Sequence, residues 1–279
     1  MNSVDFAEQN KHFFTNNSDW NIFLSGLKSV KYFLDDLGFL SFGRDMTIVR
    51  TDAGVAPVYT NHILQSATQT LQSLLICAEY GNIADTHMLL RKYRDDLFFY
   101  LYIIVTCDSA NLLSIDELSS QERCICSWIN NELTNLNIPE VLKEIATSQR
   151  CKNAVIKYGL KVEFDKIGST LNNYTHGNGC AYYNRLYSHY QNSDIKKLSV
   201  DMSHMLQYIT ITFIFLLVLL RPGTIMATDY IDALDTFMAP EKGSQYWVAP
   251  FVSHFVEQHK NLLGNPAIDY LREMTSMEI

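Results

Sequence analysis

The sequence predicts an all-α protein, a helical bundle with a small helical and hairpin appendage at its N-terminus and extra helices at its C-terminus. Three observations point there. Apolar residues recur at three- and four-residue spacing along most of the chain, while sustained two-residue alternation is rare. Helix caps and stops punctuate the pattern at regular intervals. Apolar residues make up 47% and charged residues 19% of 279, with only 12 Gly and 6 Pro, which is a composition that buries a core.

In chain order, Ser3 to Leu37 reads as one or two amphipathic helices, with Trp20, Phe23, Leu24, Leu27, Val30, Lys31 and Leu34 at helical spacing and Gly38 as the stop. From Phe39 to Tyr59 the pattern changes: Met46 to Arg50 and the turn-like Asp52-Ala53-Gly54 predict a short β-hairpin or an irregular loop. The expected division is therefore an appendage over 1–58 and a main helical domain over 59–279. Helices follow from about Asn61 to Tyr80 and from about Ala84 to Cys107, separated by Gly81-Asn82. Ser114 to Glu117 and Ser119 to Glu122 both have the S-x-x-E form of a capping box, so a helix begins there and runs to about Leu136. Pro139 suits the first turn of a helix that ends near Gly159. A helix from about Glu163 to Thr175 stops at Gly177-Asn178-Gly179, and a Tyr-rich helix covers Ala181 to Tyr190. A long helix from about Ile195 to Leu220 ends at Pro222-Gly223, and two or three shorter helices close the chain, the last introduced by Asn265-Pro266.

Two apolar runs, Leu97 to Cys107 and Tyr208 to Leu220, are shorter than the roughly 20 residues of a spanning helix. Two such runs bury one another at the centre of a bundle. The competing reading is membrane association through residues 205–220.

The net charge of −8 argues against a general nucleic-acid coat or an electrostatic hold on anionic lipid, and leaves a local basic face open. Met1 to Glu8 contain no basic region followed by an apolar run, so no secretory signal is expected and a cytoplasmic setting is. The six cysteines form no C-x-x-C pair and are expected to be reduced, buried small hydrophobes.

Phosphate-loop, dinucleotide-fingerprint, H-E-x-x-H, G-x-S-x-G and EF-hand patterns are absent, which removes support from the commonest ATPase, dehydrogenase, zinc-protease and esterase readings. The most distinctive segment is Leu171 to Gly179, where Asn172, Asn173 and His176 precede a Gly-Asn-Gly turn. His176 has the chemistry of a general base or acid, and equally that of a helix-end residue meeting free carbonyls and the dipole. Arg91, Lys92 and Arg94 form a cationic cluster beside Asp95 and Asp96, able either to clamp a phosphate or to tie two helices together. Arg185 and His189, one helical turn apart among Tyr182, Tyr183, Tyr187 and Tyr190, have the vocabulary of single-stranded RNA contact, although Tyr at these spacings more often packs. Asp229, Asp232 and Asp235 read as an exposed acidic stripe, so no metal and no cofactor is implied.

Two stretches together carry a resemblance. The turn Tyr80-Gly81-Asn82 with the helix Ala84 to Asp95, and the helix end Tyr174-Thr175-His176-Gly177, resemble bacterial proteins of the HEPN-like helical class, over roughly Asn61 to Leu220. In active HEPN nucleases an Arg stands four to six residues from a His, and the pair cleaves RNA without a metal. Here the positions before His176 where that Arg would stand hold Ser169, Thr170 and Leu171, and Arg185 and His189 are separated by three residues. The resemblance with an incomplete motif implies a non-catalytic binding or regulatory component, acting as a homodimer or with a protein partner in a defence or stress module. The alternative is a metal-independent endoribonuclease with His176 as base and Arg91 or Arg94 as phosphate clamp, with Arg185, His189, Asn172 and Asn173 contacting RNA.

Overall fold

The computed structural model describes residues 5–108, 118–132, 138–239 and 247–279. The candidate cap over Ser114 to Glu117 and the expected helix end at Leu136 lie outside them. The described residues form an all-α bundle of twelve helices with one two-stranded hairpin.

Helices α1 (Phe6–Asn16) and α2 (Ser18–Ser41) meet at Asn17, whose side chain accepts from the Trp20 amide and so caps α2. Trp20 is fully buried and donates its indole N–H to the Ala78 carbonyl at 3.0 Å. The expected stop at Gly38 is a correction: α2 continues to Ser41, and Gly38 is buried where a β-carbon would stand 3.7 Å from Leu64. Gly38 sits inside the packed face between α2 and Leu64 and does not reverse the chain. Residues 1–58, expected as an appendage, place Trp20, Phe23, Leu27, Leu34 and Val49 in the same contiguous core as the later helices.

Strands β1 (Met46–Thr51) and β2 (Gly54–Tyr59) form the expected hairpin, pairing antiparallel with Thr51 opposite Gly54. Arg50 on β1 grips Glu122 with two guanidinium nitrogens, and Ser119 closes the capping box of α5 (Ser120–Ile129) on the same carboxylate. Burial opposes ionisation of Glu122, but the Ser119 amide and hydroxyl and the Arg50 guanidinium outweigh it and hold the carboxyl below its ordinary value. α5 ends at Ile129, earlier than expected, because Asn131 turns the chain with φ +61°.

Helices α3 (Thr60–Glu79) and α4 (Ile83–Asp108) are joined at Gly81, where φ is +69° and a β-carbon would lie 2.1 Å from the Phe14 ring. Only glycine fits there. The single helix expected from Pro139 to Gly159 is instead two, α6 (Ile138–Ile145) and α7 (Gln149–Lys157), broken at Ala146 to Ser148. α8 (Leu160–His176) ends at Gly177 with φ +58°, as a glycine helix stop requires.

The expected Tyr-rich helix over Ala181 to Tyr190 is also corrected. The segment holds two short 3-10 turns, Cys180–Tyr182 and Tyr187–His189, with extended residues between. Asn184 is the reason: its side chain accepts from the Ala84 amide at 2.8 Å and donates to Asp85 at 2.9 Å, capping the start of α4 from a position 100 residues away. Arg185 and His189 are therefore not one helical turn apart.

α9 (Asn192–Leu220) is the central helix, followed by α10 (Thr228–Asp235), α11 (Pro250–His259) and α12 (Asn265–Thr275). Among the described residues α9 alone is long and apolar enough to cross a membrane, and most of its apolar window is buried inside the bundle. It packs on α4, where Tyr93 and Thr210 share a buried hydroxyl hydrogen bond of 2.8 Å. Leu97, Phe98, Leu101, Ile103 and Ile104 on α4 face this core with Ile209, Phe213, Leu216 and Leu217, all fully buried. Each such side chain stabilises the fold by about 1.5 to 3 kcal/mol.

Asp45 joins four elements. Its carboxylate accepts from Arg221 at 2.6 Å, from Thr60 at 2.7 Å and from Thr224 at 2.9 Å, while Thr60 also bonds the buried Tyr100 hydroxyl.

Candidate functional site

α8 lies antiparallel along α4. At one end of the seam His87 stacks on Tyr174 with ring centroids 3.7 Å apart, and at the other Phe98 packs on Phe164 at 4.4 Å. A cleft of about 660 Å³ lies along this seam. Phe98 and Phe164 fill their level, while the cleft-lining positions Arg91, Arg94, Asp95, Gly168, Ser169, Asn172 and Asn173 carry polar or absent side chains.

On the α4 side Arg91, Arg94, Asp95 and Asp96 line the cleft; on the α8 side Gly168, Ser169, Asn172 and Asn173 do. Phe99 and Trp128 close it, with ring centroids 5.2 Å apart and planes tilted by 59°. Ile138 and Val141 complete an apolar wall. A second hollow of about 360 Å³ shares Trp128 and Ile63 with the cleft and is edged by Pro57, Tyr59 and His62.

Arg94 is 3% exposed and binds Asp95 through Nε at 2.8 Å and Nη2 at 2.6 Å. Its remaining nitrogen, Nη1, faces Gly168, where a β-carbon would stand 3.1 Å away. Arg91 approaches the other oxygen of Asp95 with Nε at 3.5 Å. One carboxylate thus serves two guanidinium groups. Asp96 is paired with Lys92 and Asp165 with Lys161. Burial raises the Asp96 carboxyl above its ordinary value against the pull of Lys92.

Of the residues singled out in the sequence, Arg91, Arg94, Asn172 and Asn173 come together at the cleft. Asn173 is already engaged, donating to the Tyr182 hydroxyl and accepting from Asn178, whereas the Asn172 side chain makes no hydrogen bond among the described residues. His176 is exposed at the end of α8 and does not line the cleft. It follows Gly168 by eight residues, about 12 Å of helix rise, so the Arg94 guanidinium and the His176 ring stand at different levels of the seam. Arg185 donates weakly to the Cys180 carbonyl at 3.4 Å, and His189 ends the second 3-10 turn, both outside the cleft.

Phe99, Trp128, Gly168 and Ser169 were not anticipated. Gly168 carried a readable signal, since an isolated glycine inside a helical pattern costs helix stability and asks for a packing reason. His87 was also missed. It is buried, its Nδ1 lies 2.7 Å from the Ile83 carbonyl, and burial lowers its pKa to about 4, so it stacks on Tyr174 as a neutral ring. No group of three or more His, Cys, Asp or Glu among the described residues could hold a metal ion. Comparison of the chain with protein-family models, with curated proteins and with solved structures finds no match.

Proposed function

We propose that this chain is a binding protein whose working surface is the cleft between α4 and α8, and that it acts through what it holds there. The observation that carries this reading is the convergence of Arg91, Arg94 and Phe99 from α4, Asn172 from α8 and Trp128 from α5 around a single concave space. The volume of about 660 Å³ suits a small molecule or a short segment of a larger one. The two stretches that resemble HEPN-like proteins, the start of α4 and the end of α8, belong to the helices that make the cleft.

Metal-free RNA cleavage needs a base and an arginine converging on one phosphate. The separation of His176 from the Arg94 guanidinium along α8 gives that alternative less support than binding.

Two experiments test the reading. Purified protein incubated with total RNA in EDTA is expected to leave it intact, for wild type and His176→Ala alike; cleavage by wild type alone replaces binding with a nuclease. Wild type exposed to a metabolite extract and then analysed by native mass spectrometry is expected to retain a ligand that Trp128→Ala loses. Equal retention by both would move the binding surface away from the cleft.

A further inference from the structure

Arg91, Arg94, Asp95, Asp96 and Asp165 line the cleft. Asp96 and Asp165 are held by Lys92 and Lys161, which lie outside the lining, so Asp95 is the ion-pair partner of both arginines. Arg94 is nine-tenths buried and more, yet its Nη1 has no hydrogen-bond acceptor among the described residues and borders the cleft beside Gly168. Arg91 meets Asp95 only through Nε, so its terminal nitrogens also have no acceptor among the described residues. A guanidinium carries five donors in a rigid fork, and a desolvated one with donors left over is matched by an oxygen anion. Further along α4 the cleft is bounded by Phe99 and by the partly exposed Trp128 of α5, two aromatic rings 5.2 Å apart.

We infer that Arg91 and Arg94 form an oxyanion subsite for a ligand that carries a carboxylate or phosphate on a flat ring, the ring lying against Phe99 and Trp128. This rests on the binding reading above and names the chemistry of its ligand. The bare α-carbon of Gly168 keeps Nη1 open to that anion. An alanine there would place a methyl group 3.1 Å from Nη1 and cover it, while favouring the helix over glycine.

The test is calorimetric titration with two matched pairs: phenylacetate against phenylacetamide, and adenosine monophosphate against adenosine. The anionic member of one pair is expected to bind at least roughly tenfold more tightly than its neutral twin. Preference within the first pair identifies a carboxylate source and within the second a phosphate source. In Gly168→Ala and in Arg91→Gln that preference is expected to fall to about twofold or less, with the neutral twin unchanged. Circular dichroism and Tm confirm that both variants fold. Twins that bind equally, or a preference that survives both substitutions, overturn the anion subsite. Neutral binding without preference sinks the subsite and leaves the cleft as a binding surface. No binding by any of the four compounds up to about 10 mM also overturns the subsite. Retention of a ligand in the mass-spectrometric test then decides the fate of the cleft itself.

Discussion

Two arginine–aspartate clusters in this molecule use the same chemistry to opposite ends. Asp45 receives one guanidinium, from Arg221, and two hydroxyls, from Thr60 and Thr224, and so fastens the end of α9 and the turn after it to the start of α3. Asp95 receives two guanidinium groups, from Arg91 and Arg94, and leaves nitrogens of both without an acceptor among the described residues. Both clusters border a hollow, of about 560 Å³ at Asp45 and about 660 Å³ at Asp95. The second differs in the guanidinium donors that its carboxylate leaves over. A buried ion pair therefore says little by itself about function, and the informative quantity is the number of donors that remain after the pair is made.

The largest expected difference between the clusters is in stability. Removing Asp45 takes away the carboxylate that a mostly buried guanidinium and two hydroxyls share, so Asp45→Ala is expected to destabilise the fold by about 3 kcal/mol in denaturant unfolding. Arg91→Ala removes a long, partly exposed contact in the less favourable i,i+4 orientation and is expected to cost about 0.5 kcal/mol or less. Equal losses from the two substitutions would erase the comparison.

Acidification sharpens it at intermediate cost. His87 seals one end of the α4–α8 seam as a neutral ring, and its folded pKa of about 4 lies below its ordinary 6.5. Between those values the unfolded chain binds a proton that the folded chain refuses, so stability falls as pH drops from 6.5 toward 4, by up to about 3 kcal/mol. Amide exchange in α4 and α8 should rise over that window, and His87→Phe should flatten the dependence. A pH profile unchanged in the variant would remove His87 from the account.

Much of the fold was legible because it is written in local chemistry. The hairpin at Asp52 to Gly54, the Ser119 to Glu122 capping box and the Gly177 stop all depend on residues within one turn of each other. What escaped depends on distant partners. Gly38 looks like a helix stop until Leu64 lies across it, and Ala181 to Tyr190 looks helical until Asn184 is claimed by the N-terminus of α4. The site divides the same way. Arg91, Arg94, Asn172 and Asn173 stood out as polar positions on helices, but only the antiparallel seam brings them to one space, and Trp128 joins them through the docking of α5. His176 stood out for its chemistry, and its place was set by where α8 ends.

The reach of Asn184 back to the Ala84 amide also orders events during synthesis. The helix that carries Arg91 and Arg94 emerges with its first turn open to water, and its cap lies 100 residues further along the chain. At about 5 to 20 residues per second that interval lasts on the order of 5 to 20 seconds. For that time the first turn of α4 stands without this cap, although α8, the other side of the seam, has already emerged when Asn184 does.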